Sequence, residues 1–178
     1  MKSYLLKGNK IFLRSLNPGD FDKVLSWENN PENWKVSGTT IPFSKEIITQ
    51  YVNADQDIFL SNQLRLIICR LDSNEVIGAV DLFDYDAFHQ RAGVGILIDA
   101  AQRKKGFALE ALKLIQDFSL NEIGIRNLFA NILIDNTASI SLFEKAGFKK
   151  IGHKKNWFND NGKWIDELLY QSELIKNN

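Results

Sequence analysis

The spacing of hydrophobic positions along the chain changes repeatedly, and the changes predict elements of two kinds. Ile11-Phe12-Leu13-Arg14-Ser15-Leu16 reads as a first strand. Asn17-Pro18 then opens a helix, a capping side chain followed by proline at the first helical position, running to about Glu28. Ser44 caps a second helix through about Asn53. Leu64 to Arg70 and Val76 to Phe83 are strands, and the turn-rich Asp72-Ser73-Asn74-Glu75 between them favours an antiparallel hairpin. Arg91 to Ile98 is the next strand. Downstream of Gly106, Ala108, Ala111, Leu112, Ile115 and Phe118 fall at the i, i+3, i+4, i+7 spacing of a helix buried on one side. Gly124 stops that helix, Asn127 to Ile134 is a strand, and Asn136 caps a short helix that Gly147 ends. Phe148 to His153 and Trp164 to Gln171 flank Asn159-Asp160-Asn161-Gly162, whose Asn-Gly step supplies the positive φ of a hairpin turn. The order predicts an α/β (α+β) chain with a mixed, mainly antiparallel sheet of about six to seven strands and helices on both faces.

Composition narrows the picture modestly. A chain of 178 residues reads as one domain, 1–178, long enough to bury a core, and 44% hydrophobic with 11% aromatic residues excludes a disordered one. Lys+Arg and Asp+Glu both number 22, so nothing global argues for nucleic acid as a partner. Cys69 lies in the apolar run Leu66-Ile67-Ile68-Cys69 and reads as a buried, inert thiol. Met1-Lys2-Ser3-Tyr4 lacks the apolar core of a signal peptide and no apolar run approaches ~18 residues, so the expectation is a soluble cytoplasmic protein without membrane contact. No metal-ligand spacing stands out.

The local chemistry concentrates at Arg103-Lys104-Lys105-Gly106-Phe107-Ala108, between a strand and a helix. A helix N-terminus carries unpaired N–H groups and partial positive charge, and a glycine there lets a phosphate approach the backbone. Three basic side chains add to that field. The segment lacks the second glycine of a dinucleotide fingerprint and the Gly-Lys-Ser/Thr of a nucleoside triphosphate loop. A single Arg-x-x-Gly-x-Ala remains.

Arg103-x-x-Gly106-x-Ala108 resembles the Gln/Arg-x-x-Gly-x-Gly/Ala motif of the GNAT superfamily of acyl-CoA-dependent N-acetyltransferases. Ala92-Gly93-Val94-Gly95-Ile96-Leu97-Ile98 is similar to the strand before that motif in the branch holding the ribosomal-protein alanine and spermidine/diamine acetyltransferases. Asp135-Asn136-Thr137-Ala138-Ser139, followed by Leu142-Phe143-Glu144-Lys145-Ala146-Gly147-Phe148, resembles the branch's Asn-x-x-Ser and Tyr-x-Lys-x-Gly-Phe segment. The resemblance covers roughly residues 10 to 174.

What the resemblance implies is acetyl-CoA as co-substrate. Backbone groups of Ile96, Leu97 and Ile98 would bind the pantetheine arm like an added strand, and the N–H groups of Arg103, Lys104, Lys105, Gly106, Phe107 and Ala108 would meet the pyrophosphate. Asn136 would contact the CoA arm while capping its helix, and Phe143 would lie at the thioester. Two positions depart from the family. Gly93 stands where an acidic residue is frequent, and Phe143 where a tyrosine commonly supplies a proton, so protonation of the thiolate would fall to water, to the substrate ammonium or to a nearby hydroxyl such as Ser141. Asp81 and Asp84 correspond by position to carboxylates of the spermidine acetyltransferases: Asp81 is the candidate proton relay, and Asp84, with Glu28, the candidate hold on a substrate ammonium. His89 reads chiefly as a turn residue. The expected acceptor is a small polyamine-like amine or a protein N-terminal amine. A catalytically impaired CoA-binding domain acting as a sensor or partner-binding protein is the alternative, and a free sheet edge makes a homodimer plausible. Trp27, Trp34, Phe43, Phe83, Phe88 and Trp157 are read as either cleft or core.

Overall fold

A computed structural model of the chain describes residues 5–175. Its strands are β1 (Leu5–Lys7), β2 (Ile11–Ser15), β3 (Leu64–Arg70), β4 (Val76–Asp86), β5 (Arg91–Ile98), β6 (Asn127–Leu133), β7 (Lys149–Asp160) and β8 (Lys163–Glu173). They form one eight-stranded sheet in the order β1-β2-β3-β4-β5-β6-β8-β7. Neighbours are antiparallel except β5 and β6, which run parallel. The helices are α1 (Phe21–Glu28), α2 (Pro31–Ser37), α3 (Lys45–Asn53), α4 (Ile58–Ser61), α5 (Phe107–Phe118) and α6 (Thr137–Lys145).

Alternation along the strands divides the core into two layers. Ala111, Leu112 and Ile115 of α5 and Phe143 of α6 pack on Leu66, Val80, Val94, Leu128 and Ile132. On the opposite face Val24 and Trp27 of α1 and Ile48 and Val52 of α3 cover Ile67, Cys69 and Ala79. Cys69 is buried, and burial pushes its thiol pKa up, as an inert core residue requires.

The β3 and β5 bounds are those the apolar runs predict. The sheet exceeds the expected strand number by β1, a three-residue edge strand too short for a periodic signal. Asn17 caps as expected, accepting from Gly19 N–H, but its first turn, Pro18–Asp20, is a 3-10 helix feeding α1. Asn30-Pro31 repeats that start signal for the unanticipated α2, which buries no residue and so shows no apolar face in the sequence. Asp57 likewise caps the short α4. A π turn, Ser119–Ile123, extends α5 before Gly124 ends it at φ 86°.

Candidate active site

The parallel pairing of β5 and β6 lasts for Arg91↔Asn127, Ala92↔Leu128 and Gly93↔Phe129, and then the two strands diverge. Their separation opens a slot through the sheet, a cavity of about 280 Å³. Val94, Gly95 and Ile96 form one wall and Ala130–Leu133 the other; α6 contributes Asn136, Ser139 and Phe143, and the α2 end, Lys35–Gly38, roofs the opposite side. The slot therefore reaches both faces of the sheet.

Beyond the splayed end of β5 lies the basic loop. Lys104 at φ 62° and Gly106 at φ 88° turn the chain into α5, whose N-terminus has no side-chain cap. By contrast α2, α3, α4 and α6 are capped by Asn30, Ser44, Asp57 and Asn136. The first-turn N–H groups of α5 are thus left for an anion. Two of the three cations also shape the loop: Arg103 Nε donates to Ile98 O at 3.0 Å and Lys105 Nζ to Gln102 Oε1 at 2.8 Å. Lys104 has no partner among the described residues and is exposed.

The strand positions expected to meet the pantetheine arm separate into two groups. Asp99 N–H donates to Ile77 O on β4, so by antiparallel alternation Leu97 also spends its backbone on β4. Ile96 and Ile98 turn theirs toward the slot, with the Ile98 carbonyl already accepting from Arg103. Leu97 is therefore corrected: it packs its side chain in the α1/α3 layer and offers no backbone group to the slot.

The hydroxyl is corrected as well. Ser141 is exposed and outside the cavity lining, whereas Ser139 lines it together with Phe143. Positions 139 and 143 are one helical turn apart and share a face; position 141 is turned away. Asn136 Oδ1 accepts from Ser139 N–H at 3.1 Å, and the Asn136 side chain also borders the slot. Phe143 is buried, edge-on to Phe148 at 5.0 Å.

Gly93 has a packing reason for lacking a side chain. A Cβ there would lie within 2.7 Å of three ring carbons of Phe83. That ring, edge-on to Phe129 at 5.9 Å, occupies the space an acid at 93 would need. Phe83 is thus a slot residue, whereas Trp27 is core; Phe88 and Trp157 are exposed and Trp34 and Phe43 half-buried.

The acids are distributed differently from the expectation. Arg65 on β3, which no sequence motif marked, makes a bidentate pair with Asp81 (2.6 and 3.0 Å) and bonds Glu28 Oε1 at 2.6 Å. Its guanidinium lies 5.4 Å from the Tyr51 ring centroid. Burial opposes the Arg65 charge, but the Asp81 and Glu28 carboxylates overcome it and hold the pKa well above the ordinary arginine value. Burial pushes the Tyr51 phenol up to about 12. Asp81, expected as a proton relay, is instead clamped by Arg65 and does not line the cavity. The cluster of Glu28, Asp81 and Arg65 carries one net negative charge. Asp84 sits exposed at φ 49° on the bulge of β4, apart from that cluster, and the slot does not include it. His89 lies in the exposed β4–β5 turn, its N–H donating to Asp86 Oδ1.

A half-parallel strand pair opening beside an uncapped, glycine-started helix defines the class of an acyl-CoA-dependent acyltransferase. The chain belongs to the GNAT family: the acetyltransferase (GNAT) domain matches residues 10–149, and the protein is an acetyl-CoA-dependent N-acetyltransferase. It is 26% identical to the probable N-acetyltransferase YjcK of Bacillus subtilis (strain 168) over 174 residues, 93% of this chain and 94% of that one. Among solved structures, spermidine N-acetyltransferase from Vibrio cholerae in complex with CoA and spermine shares its fold (TM-score 0.85, 22% identity, 94% and 97% covered). So does ribosomal-protein-S5-alanine acetyltransferase from Vibrio fischeri (TM-score 0.82, 18% identity, 98% and 97% covered). Among the described residues, no helix is long and apolar enough to cross a membrane, and no group of three or more His, Cys, Asp or Glu side chains is placed to hold a metal.

Proposed function

We propose that the chain moves the acetyl group of acetyl-CoA onto a primary amine, of a small cationic molecule or a protein N-terminus, by direct attack within a ternary complex. The observation that carries this reading is the slot through the sheet, which joins the cradle side to the α1/α2 side at the point where β5 and β6 part. In this reading the pyrophosphate meets the N–H groups of residues 103–108, the arm meets the Ile96 and Ile98 backbone and Asn136, and Phe143 borders the thioester. The amine enters beneath α2, attracted by the single net negative charge of the Glu28–Arg65–Asp81 cluster.

The amine nitrogen attacks the thioester carbonyl carbon, the carbon–sulfur bond breaks, and the amine proton leaves while the CoA thiolate gains one. Phe143 cannot donate that proton. Ser139, on the same helix face, is the hydroxyl in position to assist, with water as the other donor. With Phe83 over Gly93, no side chain of β5 serves as base, and the acceptor amine delivers its proton to water.

A thiol-release assay on a panel of amines, paired with calorimetry of CoA binding, tests the reading. Gly106→Val adds no clash, since a Cβ there finds only Lys10 Nζ at 3.9 Å. It does force a β-branched residue to φ 88°, at a cost of about 1–2 kcal/mol or more in loop conformation. CoA affinity is expected to fall at least tenfold; unchanged affinity in the folded variant would place the phosphates elsewhere.

A further inference from the structure

The α1/α2 side of the slot has a second polar wall that the acetyl transfer described above leaves unused. Leu133 on β6, Glu167 on β8 and Lys154 on β7 lie side by side in register, and Asn131 shares their face. Lys154 Nζ donates to Asn131 Oδ1 at 2.9 Å and to Glu167 Oε1 at 2.7 Å, and sits 5.1 Å from the Trp157 ring centroid. Asn131 and Glu167 both line the cavity, and only 15% of the Glu167 side chain is exposed. The other charged side chain of the lining, Lys35, is turned to Asp135 and Asp160.

We propose that Asn131 and Glu167 form an acceptor-recognition subsite for an uncharged group that both donates and accepts a hydrogen bond, a hydroxyl or a carboxamide, carried on the same molecule as the reacting amine. The proposal rests on the acetyl-transfer reading of the slot and adds the acceptor's chemical class to it.

The argument is one of donors, acceptors and charge. An ammonium only donates, so Lys154 fixes the Asn131 amide with its oxygen inward and leaves the Nδ2 donor for another partner. Glu167 gives Oε1 to Lys154. Neither Asn131 Nδ2 nor Glu167 Oε2 has a hydrogen-bond partner among the described residues. The wall thus offers one donor and one acceptor. Its net charge is zero, because Lys154 cancels Glu167 at 2.7 Å. A second ammonium brought to Glu167 would meet the Lys154 charge at short range, and a carboxylate brought to Asn131 would meet Glu167; each would lose much of its attraction. A hydroxyl or carboxamide suffers neither repulsion and satisfies both free atoms. The Glu28–Arg65–Asp81 cluster, which lies outside the slot lining and carries one net negative charge, suits one ammonium and no more. The favoured acceptors are therefore amino alcohols and amino amides, and diamines are not.

Thiol-release kinetics on propylamine, 3-aminopropan-1-ol, β-alaninamide and 1,3-diaminopropane test the assignment. The hydroxyl and carboxamide acceptors are expected to exceed propylamine and the diamine about tenfold in kcat/KM, chiefly through KM, the effect of one or two partly desolvated hydrogen bonds. Glu167→Gln and Asn131→Ala should each shrink the ratio of aminopropanol to propylamine toward one. If Glu167→Gln does not fold, Asn131→Ala carries the test alone, since it leaves the Lys154–Glu167 pair intact. Turnover with equal kcat/KM on all four amines, or a diamine preference that Glu167→Gln abolishes, overturns the subsite while leaving acetyl transfer in place. Absence of both turnover and acetyl-CoA binding by calorimetry overturns the acetyl-transfer reading and the subsite with it.

Discussion

Replacing Gly93 with alanine would push one methyl group into the ring of Phe83, which cannot retreat freely because Phe129 stands edge-on behind it. Overpacking of this kind costs about 1–3 kcal/mol. The same substitution in a Phe83→Ala background should cost little, because the ring is gone. Urea unfolding of the two single variants and the double variant measures that coupling. An equal penalty in both backgrounds would mean that backbone conformation, and not the ring, demands glycine. The pair also explains the departure at this position: an acidic side chain on β5 and an aromatic one at 83 exclude each other. Arg65 is a companion case. Its two carboxylate partners lie 37 and 16 positions away in the chain, so no local pattern announces that Asp81 is committed to a guanidinium.

Strand β7 is bulged within its pairing to β8, with a register shift between Lys154 and Phe158 and Asn156 at φ 49°. Asp166 on β8 holds that bulge. It accepts from Asn156 N–H at 2.8 Å and meets His153 Nε2 at 2.6 Å, and these contacts, the backbone bond foremost, lower its pKa below the ordinary aspartate value. A depressed carboxylate pKa contributes stability that is present above its unfolded value of about 3.9 and is lost as pH falls through the folded value. Amide exchange at Asn156, followed by NMR, should accelerate below about pH 4 more than exchange in β3, and Asp166→Asn should remove that difference. Identical acid profiles in the two strands would dissociate Asp166 from the bulge. The elements show what the sequence discloses. The apolar runs at 64–70 and 91–98 and the glycine-started helix at 107 are legible because their signals are local. Helix α2 escaped because it buries nothing, and the Ser141 expectation failed by a helical phase of two residues. The walls of the acceptor side are set by register between β3 and β4 and among β6, β8 and β7, which periodicity alone does not supply.

At the scale of the whole molecule, the roof and the sheet are tied by few bonds. Helix α2 buries no residue, and Lys35 connects it to Asp135 after β6 at 2.7 Å and to Asp160 at the β7–β8 turn at 3.5 Å. Lys35→Met should raise the KM for the acceptor amine more than that for acetyl-CoA and quicken proteolytic cleavage between residues 36 and 42. High salt should produce a milder version in the unaltered protein, since exposed ion pairs are screened. Cleavage at an unaltered rate would show the roof to be held by Trp34, whose Nε1 donates to Glu28 O, and by its neighbours. Beneath the roof, β5 and β6, where the β1–β5 and β6–β8 parts of the sheet meet, pair over the rungs from Arg91↔Asn127 to Gly93↔Phe129 and then part. Acetyl-CoA bridging the open remainder would act as the missing seam, and binding confined to the folded state at a hundred times Kd adds about 2.7 kcal/mol. The lifetime of such a protein against proteases is then expected to lengthen with the supply of acyl donor.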